Sequence, residues 1–176
     1  MTEPLSSRGL TYDTVGVTLS EGWSKARATG RRTYEQSVQL GDGPDRWAFA
    51  SAEVMSWGIK RRSGFTIDAE TVSDGDRLWL VARLGPLSIR EPVQVIGVLD
   101  MADRRGFAYG TLTGHPVSGE EAFLVERRAD GTVWLTLRSF TRPGKGLWRM
   151  AFPLILLVQR SYRRRYLRAL AGAIED

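Results

Sequence analysis

The sequence predicts a single α+β domain. One curved antiparallel sheet of about seven strands is closed by a long C-terminal helix, with a shorter helix after the first strand. Three observations predict this. Apolar residues recur at helical spacing ahead of Gly64 and at every second position after it. The alternating runs are separated by turns too short for the crossovers that parallel strands need. The last apolar stretch, from about Leu147, returns to helical spacing and is long enough to cover a sheet face.

The elements follow in order. Residues 1–10 read as a flexible tail ahead of one domain over 11–176, and Tyr12–Thr18 reads as a short strand. Arg32–Leu40 puts Tyr34, Gln36, Val38 and Leu40 on one strand face. Asp42-Gly43-Pro44 starts a helix, since proline suits the first helical position and Asp or Gly the cap. Trp47, Ala50, Val54 and Trp57 carry that helix to about Arg62, and Gly64 stops it. Phe65–Thr71 is the next strand, and Ser73-Asp74-Gly75-Asp76 turns the chain. Leu78, Leu80, Ala82 and Leu84 alternate up to Gly85-Pro86, and Pro92–Asp100 forms the strand after that. Beyond a turn at Asp103–Gly106, strands over Phe107–Thr113 and Glu121–Arg128 flank a glycine-rich loop. Asp130-Gly131 is a tight turn into the last strand, Thr132–Phe140. Pro143-Gly144 then separates it from a helix over about Leu147–Gly172, in which Pro153 either starts the main body or makes a kink. A lone curved sheet must bury one face, and the terminal helix is its cover. This is a helix-grip arrangement.

Composition sets bounds on function. A chain of 176 residues, 42% hydrophobic and 26% charged, falls in the range of one ordinary globular domain. It has no cysteine, which removes disulfides, thiolate zinc sites, iron–sulfur clusters and thiol nucleophiles together, and suits the reducing cytoplasm. The first residues lack the basic and then apolar regions of a signal peptide. Leu147–Val158 is interrupted by Arg149 and Pro153 and is too short to span a bilayer, which takes about 20 residues. The net charge of +5 is concentrated at Arg160, Arg163, Arg164, Arg165 and Arg168, with a smaller cluster at Lys60, Arg61 and Arg62. Such clusters attract phosphates or anionic lipid; as solvated helix faces they need no partner. Tyr162 and Tyr166 share a helix face, so most of the arginines turn outward, and weak, salt-labile contact with anionic surfaces is the expectation.

Residues 107–124 (FAYGTLTGHPVSGEEAFL) concentrate the chemistry. They hold the only histidine, His115, between Gly114 and Pro116, and the adjacent pair Glu120 and Glu121. Glycines and a proline shape this loop between two strands. An unperturbed histidine titrates near neutrality, so His115 could act as acid or base, but a turn-bracing role competes, and no nucleophile stands near it in sequence. Glu120 and Glu121 point to opposite faces of a regular strand, so they make a poor acid–base pair; one faces the interior or a partner such as Arg138, the other solvent. Gly114–Gly119 has phosphate-loop spacing but lacks the Lys and Ser/Thr that should follow. One histidine without clustered carboxylates gives no metal site, no cofactor motif is present, and no nucleic-acid module accompanies the arginines.

The stretches Tyr109-Gly110-Thr111-Leu112, Gly114-His115-Pro116 and Gly119-Glu120-Glu121 with Phe123 resemble the signature of domain-of-unknown-function family 1990. Leu40-Gly41-Asp42-Gly43, Ser139-Phe140-Thr141-Arg142-Pro143 and the Arg-rich segment Arg163–Leu170 are similar to the same family, so the resemblance runs from about Tyr12 to Leu170. It implies a START-like, helix-grip fold related to the birch-pollen allergen, and no reaction or catalytic residue.

A sheet gripping one helix leaves room for a cavity. Strand aromatics (Trp79, Phe107, Tyr109, Phe123, Trp134, Phe140) and helix residues (Trp148, Phe152, Ile155, Val158, Tyr162, Tyr166) either line it or fill the core. The candidate ligand-binding set is Tyr109, Thr111, His115, Glu121, Phe123, Trp134, Arg138, Phe152 and Tyr162, for a small hydrophobic or amphipathic molecule. Two rivals stand beside it. An enzyme, cyclase- or hydrolase-like, would point His115 or a glutamate into the cavity. A membrane-surface or polyanion module would show a filled core and one continuous arginine patch.

Overall fold

The computed structural model describes residues 3–20, 23, 32–84 and 87–172. Seven strands form one antiparallel sheet: β1 (Arg32–Asp42), β2 (Phe65–Ile67), β3 (Arg77–Leu84), β4 (Leu87–Asp100), β5 (Arg104–Thr111), β6 (Val117–Arg127) and β7 (Thr132–Pro143). Their order is β1-β7-β6-β5-β4-β3-β2. Consecutive hairpins build β2 to β7, and β1 closes onto β7. Register slips between Gln39 and Gly41 and between Val95 and Gly97 mark bulges, which bend the strands and help the sheet curl. Three helices lie against the concave face: α1 (Gly43–Met55), α2 (Gly58–Arg62) and α3 (Leu147–Arg168). The main core is the meeting of Ala50, Val54 and Trp57 with strand residues such as Phe107, Phe123, Val125 and Leu135, extended by Tyr162 and Tyr166.

Several elements depart from the sequence expectation. Residues 3–10 are tied down rather than loose: the Arg77 guanidinium donates to the carbonyls of Leu5, Ser6 and Arg8, and Thr113 N–H donates to Gly9 O. Tyr12–Thr18 forms no strand, only a bridge of Leu10 to Leu112 and a 3-10 turn at Val17–Leu19. This segment covers the convex face. Tyr12 packs edge-on against Phe140 at 5.4 Å, and Gly110 leaves the room that the Tyr12 hydroxyl occupies, where a Cβ would overlap it. Glu120 fastens it, accepting from the backbone N–H groups of Gly16 (2.6 Å) and Thr18 (3.1 Å) and from the Thr18 hydroxyl.

The expected helix to Arg62 is two helices, broken at Trp57, a non-glycine residue in the left-handed region (φ 62°). Its indole is fully buried, and Nε1 donates to Thr71 O at 3.3 Å. Burial of the largest side chain offsets the strain of that backbone. β4 begins at Leu87, ahead of Pro92. The Pro92 carbonyl accepts from Leu112 N–H, so its ring nitrogen, on the same side, lies just beyond the last pair of the β4–β5 ladder and removes no ladder bond. α3 runs through Pro153 as one helix. Among the described residues, no helix is long and apolar enough to cross a membrane.

Candidate functional site

A cavity of about 270 Å³ lies between the concave face and α3. Phe65, Ala82, Ile89, Val117, Ile155 and Val158 supply apolar wall. Ile155 and Val158 are therefore only half-buried, while Tyr162 and Tyr166, further along α3, are buried.

One polar pole is built around Lys60. The left-handed turn at Trp57 rotates α2 away from the line of α1, and Gly58 is required there: a Cβ would overlap a Glu53 carboxylate oxygen and stand 2.7 Å from the Glu53 carbonyl. The rotation carries Lys60 inward, where it is 2% exposed. Nζ donates to Glu121 Oε2 and to Tyr166 Oη, each at 2.8 Å. The rings of Tyr166 (4.4 Å), Phe65 (4.5 Å), Tyr109 (4.9 Å) and Phe123 (5.5 Å) surround the cation. Glu121 Oε2 also accepts from the Tyr109 hydroxyl. Burial, and next the Glu121 charge, pushes the phenols of Tyr109 and Tyr166 far above their ordinary range, so both keep their protons. Because Tyr166 accepts from Lys60, its own hydrogen remains to be donated.

A second pole pairs His115 with Glu91 on β4. Val117 N–H donates to His115 Nδ1 at 3.0 Å, which assigns the hydrogen of the neutral ring to Nε2. Nε2 stands 3.8 Å from Glu91 Oε2, beyond hydrogen-bond reach. The distance would admit an ion pair only with a charged imidazole. Burial first and Lys60 second lower the His115 pKa to about 3, so the ring is neutral and no ion pair forms near neutral pH. Glu91 moves the other way: burial outweighs the attraction of Lys60 and, with repulsion from Glu121, raises its pKa to about 7. A carboxyl that exchanges its proton near neutrality thus faces an apolar cavity.

α3 contributes groups that are not satisfied. The Tyr162 hydroxyl and Gln159 Oε1 are buried at the cavity without a hydrogen-bond partner among the described residues. Arg163 Nη2 donates to Ser139 Oγ at 3.0 Å, and the guanidinium stacks over Tyr34 at 4.0 Å. Arg163 is thereby drawn out of the expected outward row, and Arg160, Arg164, Arg165 and Arg168 are exposed. A second, more polar cleft of about 500 Å³ lies beyond His115 and Trp148, next to the N-terminal segment. Asp13, His115, Arg142 and Lys145 stand on its wall.

Five of the nine candidate ligand-binding residues border the cavity: Tyr109, Thr111, His115, Glu121 and Tyr162. The Thr111 hydroxyl is already engaged, bonded to the Thr11 hydroxyl at 2.5 Å and to Gly119 N–H at 3.0 Å, so its part is to hold the loop. Phe123 stands behind Lys60 as a ring wall. Trp134 and Arg138 lie on the convex face, because Val133, Leu135 and Leu137 take the concave one. Trp134 Nε1 donates to Thr132 Oγ1, and Arg138 pairs with Glu35 at 2.9 Å and reaches the carbonyls of Thr18 and Ser20. Arg138 thus meets neither glutamate, and Glu120, buried under the N-terminal segment, is not solvated. Phe152 is half-buried on α3 away from the cavity wall. Sequence reasoning missed Lys60, hidden in a basic run, Glu91, placed before the expected strand, and Gln159. The signal that could have found Glu91 is period two: Ile89, Glu91, Val93 and Val95 share a face.

Residues 11–169 match the model of a family described as a domain of unknown function, DUF1990, and the chain belongs to that family. A UPF0548 protein of Deinococcus radiodurans is 34% identical over 167 residues, covering 86% of this chain and 84% of its relative. Among solved structures, a hypothetical protein from Helicobacter pylori superposes with a TM-score of 0.57 at 10% identity, over 93% of this chain and 97% of its own. A truncated norcoclaurine synthase from Thalictrum flavum gives 0.53 at 10% identity, over 82% and 96%. These likenesses show the helix-grip fold.

Proposed function

We propose that this protein binds one small amphipathic molecule in the cavity under α3. The apolar body would lie among Phe65, Ile89, Ile155 and Val158, with its polar head toward Lys60, Glu121 and Tyr166. The observation that carries this reading is a pair of buried groups on α3 without a hydrogen-bond partner among the described residues, the Tyr162 hydroxyl and Gln159 Oε1. A protein interior leaves few such groups, since each one costs about 1–3 kcal/mol. A ligand that hydrogen-bonds to both removes that cost. The cavity size limits the choice. At about 270 Å³ it lies just below the range of small-molecule pockets, about 300–1,000 Å³, and far below what a two-chain lipid would fill.

One observation favours a second reading, an enzyme in the same cavity. Glu91 and Glu121 both face the space, and Glu91 is poised to give or take a proton near neutral pH. The norcoclaurine synthase neighbour shares only the fold, so the second reading rests on Glu91 alone. Native mass spectrometry of freshly purified protein separates the readings. Binding predicts a single co-purified species of small mass, lost in a cavity-filling Ile155→Trp variant and unchanged in Glu91→Gln. Catalysis predicts that Glu91→Gln carries a different species from the wild type, substrate in place of product. Absence of any adduct, even after incubation with cell extract, would count against both.

A further inference from the structure

We infer that the first half of α3 is a docking surface for an anionic lipid membrane. This helix meets the sheet with one face, yet it is apolar on the other side as well. Leu147 is 83% exposed, Met150 82%, Leu154 65% and Leu157 66%. They follow one another at spacings of three, four and three residues, which places them on one stripe of the helix. Monomeric proteins scatter single exposed leucines; a contiguous row marks a surface that meets something.

The charges around the row indicate what covers it. Residues 131–174 contain no Asp or Glu and nine Lys or Arg. Arg142, Lys145 and Arg149 flank the row at one end, Arg160, Arg164 and Arg168 at the other, and all six are exposed. An apolar stripe between basic ends, on a helix too charged to span a bilayer, is the pattern of a helix that lies in the headgroup region of anionic lipid. A second copy of this chain would bring the same positive field to the same row, and like charges would oppose that contact. The row also borders the cavity: Leu154 and Trp148 are partly exposed and line it. A docked α3 would set the cavity mouth against the membrane, where amphipathic molecules concentrate.

Flotation of the full chain with lipid vesicles tests this, using phosphatidylcholine alone and phosphatidylcholine mixed equally with phosphatidylserine. The wild type should float with the mixed vesicles and remain behind with the neutral ones. Leu147→Ser with Met150→Ser touches the two most exposed members, neither of which lines the cavity, so the fold and its melting should be unchanged. Binding should fall at least about tenfold, because apolar area no longer enters the interface. Arg149→Gln, Arg160→Gln and Arg164→Gln together should weaken binding by about fivefold for each charge removed, and added salt should act in the same direction. Failure of the wild type to float with the mixed vesicles would overturn the inference. So would full binding by the serine variant, which would reduce the contact to arginine attraction alone. A wild-type dimer that dissolves in the serine variant, without vesicle binding, would assign the row to a contact between copies.

Discussion

Replacing Lys60 by Met should cost this protein a large share of its stability, although the residue sits in a run, Lys60-Arg61-Arg62, that reads as a solvated helix face. Its Nζ is enclosed by four rings and bonded to Glu121 and Tyr166. Removing one partner of a buried pair leaves the other charge unmatched in low dielectric, at about 3–5 kcal/mol. Domains hold only about 5–15 kcal/mol in total, so the loss is severe without being lethal in every case. At about 2–4 °C per kcal/mol for a chain of this size, the midpoint should fall by roughly 6–20 °C. Glu121→Gln should fall by a similar amount, since it leaves Lys60 without its counter-charge. Combining Lys60→Met with Glu121→Gln removes both charges, while the new amide oxygen still accepts from the Tyr109 hydroxyl, so the double variant should recover much of the loss. That coupling is what a double-mutant cycle measures. The assay is thermal and urea unfolding followed by circular dichroism. Single variants within about 0.5 kcal/mol of wild type, the range for exposed positions, would refute the buried placement of Lys60 and with it the rotation of α2.

Two predictions concern the second pole. The folded-state pKa of Glu91 is raised from 4.5 to about 7, so its contribution is full at acid pH and is lost as pH rises through that window, on the order of 3 kcal/mol. His115, lowered from 6.5 to about 3, acts oppositely, and its contribution is lost as pH falls from 6.5 toward 3. The two nearly cancel between pH 4.5 and 6.5, so wild-type stability should be flat there, and Glu91→Gln should expose a rise with pH across that interval; a variant curve as flat as wild type would contradict the assignment. His115→Asn should fold normally at neutral pH, because an asparagine oxygen can take over the Val117 N–H bond two residues on, and it should lose the acid sensitivity of the wild type below pH 4.5. Marked destabilisation of this variant at pH 7 would show that the ring itself is needed.

The sheet was legible because its signals are local. Asp130-Gly131 forms the turn, with Gly131 at φ 84°, and strict alternation along β3 and β7 names the buried face. That Glu120 and Glu121 oppose each other also follows from period two. Which one faces the cavity depends on Lys60 and on the N-terminal segment, and both arrive by long-range contact. Trp57 was the least legible position. A left-handed turn at a tryptophan has no local signal, and Gly58, which makes room for it against Glu53, looks like an ordinary helical glycine. With that turn hidden, Lys60 remains on the outside of a continuous helix, and the first pole of the site cannot be seen. Glu91 was hidden by Pro92, since a proline reads as a strand start until its position beside the end of a ladder is known.

The central claim is that the space between sheet and α3 takes a small amphipathic molecule. Titration with an apolar fluorophore such as anilinonaphthalene sulfonate, on wild type and on Ile155→Trp, tests it most directly. The wild type should show one saturable site, the filled variant should lose that site, and the free proteins should share one melting curve. Equal fluorophore binding by both proteins would place the apolar site elsewhere and contradict a ligand cavity under α3.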